Sequence, residues 1–161
     1  MNSDNDVPFT IRRAAPGDEG SIVALLRELA EYEKLLHRFH LTQEAVLRDM
    51  MGTSCHTDLA FVGGEAAAVA TWGWIYKSFA ASRGIFLEDL YVRPAHRGRG
   101  IGKALLLALA QTAREADGFL EWQVLDWNTP SIEFYQRLGA TLMPDWITCR
   151  LHGAALERLA S

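Results

Sequence analysis

The stretch FLEDLYVRPAHRGRGIGKALL, residues 86–106, decides the fold. Ile85 to Val92 is apolar except at Glu88 and Asp89, which predicts a strand. From Ile101 to Ala116 the apolar residues recur at helical spacing, which predicts a helix. Between them, glycines stand at 98, 100 and 102, directly at the helix entrance. With no Cβ in the way, such a backbone can bring several amide N–H groups up to phosphate oxygens, where the helix dipole adds attraction. Arg93, Arg97, Arg99 and Lys103 supply outer positive charge, and His96 is a further candidate for a phosphate contact. Two other nucleotide motifs fail on spacing. A P-loop ending at Gly102-Lys103 needs Gly at 97 and Ser or Thr at 104, where Arg97 and Ala104 stand. A dinucleotide fingerprint starting at Gly98 needs Gly or Ala at 103, which is Lys103, and the first strand-to-helix turn of the chain has no glycine motif of this kind.

Outward from this joint, Phe119 to Leu125 reads as a strand returning parallel to Ile85–Val92, making a βαβ unit. Upstream, Phe9 to Arg12 alternates like a strand. Pro16-Gly17-Asp18 then opens a helix carrying Ile22, Leu25, Leu26, Leu29 and Tyr32, and Thr42 caps a short second helix that ends near Gly52. Leu59–Val62 and Ala67–Tyr76, joined through Gly63-Gly64, read as a hairpin. Downstream, Pro130 begins a helix that runs to Leu138 and is closed by Gly139, with a last strand over Trp146–Leu151. The order βααβββαβαβ describes an α/β (α+β) layered domain with a mixed sheet. One domain over residues 8–161, after a loose start at 1–7, fits a chain of 161 residues without repeats or linkers.

Charge is segregated along the chain. Residues 1–92 hold eight basic and thirteen acidic side chains, 93–114 five and none, and 115–161 three and seven. One basic segment inside an acidic protein points to an anionic ligand at one place and a cation elsewhere; a solvated charged face is the plainer alternative. The net charge of −4 argues against nucleic acid as the main partner. The longest apolar run, Ala104–Ala110, is far shorter than the roughly 20 residues that cross a membrane. The polar start MNSDND and two widely spaced cysteines, Cys55 and Cys149, lead to the expectation of a cytoplasmic protein. His37, His40, His56, His96 and His152 form no metal-ligand spacing.

Arg97-Gly98-Arg99-Gly100-Ile101-Gly102 fits the pattern R-x-x-G-x-G between a strand and a helix. Here the sequence resembles the GNAT superfamily of N-acetyltransferases, and LRELAEYEKL, FLEDLYVRPAHRGRGIG and WNTPSIEFYQRLGA resemble blocks of its diamine branch (spermidine/spermine or thialysine acetyltransferases). In order and spacing the likeness runs from Phe9 to Leu151. It implies a GNAT fold, a mostly antiparallel mixed sheet with splayed central strands flanked by helices. It also implies acetyl-CoA as cosubstrate, bound through Arg97, Gly98, Arg99, Gly100, Ile101, Gly102 and Lys103. Leu90, Tyr91 and Val92 would contribute main-chain groups beside a bulge. Asn128 and Ser131 would contact the pantetheine arm, although Asn-x-Pro-Ser also suits plain helix capping.

Moving an acetyl group from a thioester to an amine needs a neutral amine and a proton for the departing thiolate. An alkylammonium has a pKa near 10.4, so something must take its proton near neutral pH. Glu88, in an otherwise apolar strand, is the candidate base, which the resemblance has acting through an ordered water; a structural carboxylate is the alternative. Alternation sends Asp89 to the opposite sheet face from Glu88. By the same resemblance Tyr135 is the general acid toward the CoA sulfur and also contacts the cofactor, against the alternative of a packed aromatic. Tyr32 and Glu33 match the amine contacts, where a carboxylate beside an aromatic suits an alkylammonium; an amphipathic helix end is the alternative. Asp145 lies where the branch carries an acidic pair, but Met143-Pro144-Asp145-Trp146 has one acid and a shorter loop, which counts against long polyamines. Trp72, Trp74 and Tyr76 read as core or subunit contact. The resemblance thus implies direct acetyl transfer to a small cationic amine (diamine, polyamine or lysine-like), without a metal, by a homodimer. The alternatives are a member acetylating protein N-termini or lysines, and a non-catalytic acyl-CoA sensor.

Overall fold

Gly63 and Gly64 both take positive φ, 59° and 85°, the backbone a tight hairpin between right-twisted strands requires. They join β2 (His56–Val62) to β3 (Glu65–Lys77) in a computed structural model that describes residues 8–161. The expected loose start at 1–7 lies outside the described residues. β1 (Phe9–Arg13), β4 (Ser82–Val92) and β5 (Leu120–Trp122) complete a five-stranded sheet in the spatial order β1-β2-β3-β4-β5. The first three pairings are antiparallel, and β4 with β5 is parallel. The sheet is mixed and mostly antiparallel, as expected. The chain divides into two compact units, the first ending at Gln123 and the second running from Val124 to Ser161.

In the first unit, α1 (Glu19–Tyr32) buries Ile22, Leu25, Leu26 and Leu29 against Leu59, Val69 and Tyr91 of the sheet. Each fully buried aliphatic side chain contributes about 1.5–3 kcal/mol. α2 (Gln43–Asp49) adds Val46 to the same cluster and is capped by Thr42, whose Oγ1 accepts from the Ala45 N–H at 3.2 Å. The strand residues that alternate with these, Ala60, Ala68 and Val92, are register neighbours on the other face. α3 (Ile101–Glu115) lies on that side: a Cβ at Gly102 would come 3.6 Å from Val92 Cγ2.

The register between β3 and β4 slips once. Trp72 pairs with Leu87 and Thr71 with Asp89, so Glu88 is a bulged extra residue. β5 pairs with β4 only over Ile85–Leu87. From Glu88 to Val92, β4 therefore has no strand neighbour on that side among the described residues, and the splayed strands that the resemblance implied are present. Where α3 turns into β5, Gly118 passes so close to Arg83 that a Cβ would sit 1.9 Å from the Arg83 carbonyl oxygen.

The second unit holds α4 (Thr129–Arg137) and α5 (Gly153–Ala160). The strand expected over Trp146–Leu151 is absent, and α5 stands beyond it. A strand needs a neighbour to pair with, and the described residues of this unit contain no other. The β5 strand is likewise shorter than the expected Phe119–Leu125 because the parallel ladder ends at the bulge.

Candidate active site

After β4 the chain makes a 3-10 turn at Pro94–His96, then Gly98 and Gly100 adopt φ of 74° and 80°. Gly100 is the left-handed residue immediately before α3, a conformation that disfavours any side chain with a Cβ. A Cβ at either glycine would meet nothing within 4 Å, so the bend faces open space. The first intrahelical bond runs from the Ala104 N–H to the Gly100 carbonyl (2.9 Å), which places the amides of Ile101, Gly102 and Lys103 ahead of any intrahelical acceptor. Ile101 buries its side chain in the core and offers only its main chain. Open backbone, three leading amides and a basic surround fit a diphosphate.

The basic residues do not all serve this bend. Arg93 pairs with Glu28 of α1 (Nη2 to Oε1, 2.9 Å) and donates to the Ala66 carbonyl at 2.9 Å. Its charge is neutralised where it stands, which corrects its expected place among the phosphate-facing cations. The Arg97 Nε donates to the Val92 carbonyl at 2.9 Å, with its guanidinium 5.4 Å from the Tyr32 ring centroid and 5.7 Å from that of Tyr91. Arg99 approaches His96 Nδ1 at 3.3 Å, and Lys103 is exposed.

Beside the bulge lies a cavity of about 760 Å³ between α1, the segment after it, β3 and β4. Glu33, Glu88 and Asp89 all line it. Glu88 and Asp89 were expected on opposite faces. The bulge at Glu88 breaks the alternation on which that rested and turns both carboxylates toward one space. Asp89 accepts from Thr71 Oγ1 at 2.5 Å. Burial holds its carboxyl above the ordinary carboxylate range, the Thr71 hydroxyl pulls it back in part, and the charge of Glu88 pushes it further up. Burial also raises Glu33, with the charge of Asp89 adding to it.

The β3 segment 71–75 borders the same cavity, while the rings of Trp72 and Trp74, edge to face at 5.7 Å, alternate onto the sheet face of Ala68 and Ala70. Trp72 is buried and fixed from behind: its indole N–H donates to Asp58 Oδ2 at 2.7 Å, and Asp58 is paired with Arg13 at 2.8 Å. Arg83 stacks on Trp74 at 3.7 Å. The strand alternation marks these tryptophans as core or contact residues, and Trp72 is buried against Asp58. Arg38 also lines the cavity, and no sequence period marks it because the 3-10 turn Leu36–Arg38 interrupts the helical spacing. Tyr32 does not line the cavity; it lies beneath Arg97.

In the second unit, Asn128 precedes α4 and is buried, yet its side chain makes no capping bond, so plain capping does not account for it. Ser131 and Tyr135 lie on α4, with Tyr135 buried and Phe134 beside it at 5.4 Å. Asp145 is exposed in the segment between α4 and α5.

A family model described as the acetyltransferase (GNAT) family matches residues 21–140. A thialysine N-epsilon-acetyltransferase from Bos taurus is 36% identical, over 93% of this chain and 96% of its own. An L-ornithine N5-acetyltransferase from Arabidopsis thaliana is 42% identical over 52% of this chain and 37% of its own. Among solved structures, an integron cassette protein from the mobile metagenome of V. cholerae superposes with a TM-score of 0.77 at 22% identity, over 94% of this chain and 97% of that one.

Proposed function

Because this chain belongs to the acetyltransferase (GNAT) family, we propose that it moves the acetyl group of acetyl-CoA onto a primary amine of a small cationic acceptor, such as a diamine or a lysine-like amino acid. The observation that carries the reading is the open glycine bend at the head of α3, set on the strand whose bulge gathers Glu88 and Asp89 at one cavity.

When bound, acetyl-CoA supplies an acetyl thioester. The amides of residues 101–103 and the side chains of Arg97, Arg99 and Lys103 hold its diphosphate, and the unpaired edge of β4 at Leu90–Val92 offers main-chain groups for orientation. Asn128 and Ser131 serve the pantetheine arm. Glu33 and Asp89 attract the acceptor's ammonium by charge. Glu88, exposed at the bulge, takes the ammonium proton through a water. The neutral amine nitrogen would bond to the acetyl carbon as the carbon–sulfur bond breaks, Tyr135 would give its phenolic proton to the sulfur, and the proton the nitrogen then sheds would return the phenolate to phenol through solvent. Tyr32 steadies Arg97, and Asp145 adds negative potential for the acceptor. The family match spans the division at Gln123, which supports one acetyltransferase domain over residues 8–161. The free Cys55 and Cys149 suit a reducing cytoplasm, and the likeness to the diamine branch supports a homodimer.

The test is a panel of amines with acetyl-CoA, following release of the CoA thiol, beside calorimetric titration with CoA. The reading expects heat on titration and turnover of at least one diamine or lysine-like amine; absence of CoA binding would end it.

The raised carboxyl of Asp89 makes a stability prediction. Its folded value lies above its unfolded one, so between the two the folded protein holds the proton more tightly, and stability falls as pH rises through that window. Above it, the buried charge destabilises the free protein. Asp89→Asn, which keeps an acceptor for Thr71, is expected to raise Tm by about 2–4 °C at pH 7 and to give no gain below about pH 4. It is also expected to raise the amine KM by roughly tenfold. A melt at pH 7 that is unchanged or lowered would refute the assignment.

A further inference from the structure

The acceptor cavity is lined by three carboxylates, Glu33, Glu88 and Asp89, and by one arginine, Arg38. The carboxylates form a chain of neighbours in which Glu88 acts on Asp89 and Asp89 on Glu33, and among the described residues no ion pair reaches Glu33 or Asp89. Arg38 lines the same cavity but forms no hydrogen bond or ion pair through its side chain among the described residues. An arginine that shares a space with three carboxylates and pairs with none of them stands apart from that cluster. Its mount is firm: the Arg38 N–H donates to the Leu35 carbonyl at 2.8 Å, and the next residue, Phe39, packs against the hydrophobic core.

A diamine laid along this cavity with one ammonium at the carboxylates would carry its second positive charge toward Arg38, which repels it. A basic amino acid with its side-chain amine at the carboxylates would carry an α-carboxylate instead, and the planar guanidinium fork matches a carboxylate bidentately. We infer that Arg38 selects the acceptor, reading the α-carboxylate of a basic amino acid at the end of the cavity away from the reacting amine. This rests on the acetyltransferase reading above and narrows it from cationic amines in general to those with a carboxylate at the far end. Arg38 touches no reacting atom; it is a specificity-determining residue.

The experiment compares lysine, lysine amide and cadaverine as acceptors with acetyl-CoA, for the wild type, Arg38→Gln and Arg38→Lys. The three amines share a reacting end and differ in the far one: a carboxylate, a neutral amide, and no carbonyl group. The wild type is expected to favour lysine over its amide by roughly tenfold or more in kcat/KM. Arg38→Gln is expected to raise the KM for lysine by roughly 10- to 100-fold with kcat little altered, and to raise kcat/KM for cadaverine as the repulsion is lifted. Arg38→Lys is expected to keep part of the preference. Equal losses on all three amines in Arg38→Gln, or a wild type indifferent to the carboxylate, would overturn the inference and leave the acetyltransferase reading standing. If the wild type turns over none of them, nor thialysine or ornithine, the broader reading falls and takes the inference with it.

Discussion

Tyr135→Phe is expected to lower kcat by roughly 10²- to 10³-fold while CoA binds within a few-fold of the wild type. The substitution removes one oxygen and leaves the ring. α4 is closed through the main chain of this residue, whose carbonyl accepts from the N–H groups of Leu138 (3.0 Å) and Ala140 (3.1 Å), and neither bond involves the phenol. Closure of the helix is thus independent of the phenolic oxygen. On the proposed mechanism the sulfur of the variant leaves as a thiolate protonated only by solvent, so the loss belongs in kcat and is greatest for acceptors whose other steps are fast. Steady-state kinetics beside calorimetric CoA titration read the two quantities. An unchanged kcat would remove Tyr135 as the acid, and a lost affinity would make it a packing residue.

Gly118→Ala is expected to lower Tm by roughly 10 °C or more, or to leave the protein insoluble. The added carbon would stand 1.9 Å from the Arg83 carbonyl oxygen and 3.2 Å from that of Ala113. Both are backbone atoms, one on β4 and one at the end of α3, so no rotamer change gives relief. Separating them strains the Gly118 to Ala113 bond (2.9 Å) and the Ile85 to Phe119 bond (2.8 Å), which brings β5 into register beside β4. Overpacking against rigid backbone costs about 3 kcal/mol or more. A thermal melt within 2 °C of the wild type would show that the turn yields more easily than this contact implies.

Where local spacing decides structure, the sequence was sufficient. Gly63-Gly64 announced the hairpin, the apolar spacing of Ile22 to Leu29 announced α1, and the glycines at 98, 100 and 102 announced the bend. The start of β4 was hidden because Ser82-Arg83-Gly84 looks like a turn and becomes strand only against Ile75–Lys77. The resemblance implied a bulge beside Leu90–Val92, but its place at Glu88 is a mismatch between two strands that one strand does not show, and the shared direction of Glu88 and Asp89 depends on it. Arg38 and the approach of Glu33 to Asp89 depend on how the segment after α1 folds back, which no period records. The pairing of Arg93 is invisible locally because its partner, Glu28, lies 65 residues away in the chain. The helix α5 consists of good helix formers, GAALERLA, and follows a β-branched and aromatic run that reads as strand but has no strand to pair with in its unit among the described residues.

The surplus residue at position 88 makes the length of β4 a matter of odd and even. Losing one residue between Leu87 and Asp89 would restore an unbroken ladder and a more regular sheet, with Asp89 still opposite Thr71, yet it would take the exposed acid out of the cleft. Gains or losses there in pairs would preserve the side on which the acid emerges but carry it nearly 7 Å along the strand. Descendants of this chain can therefore vary freely in what they place along that edge, but scarcely at all in how many residues they spend there.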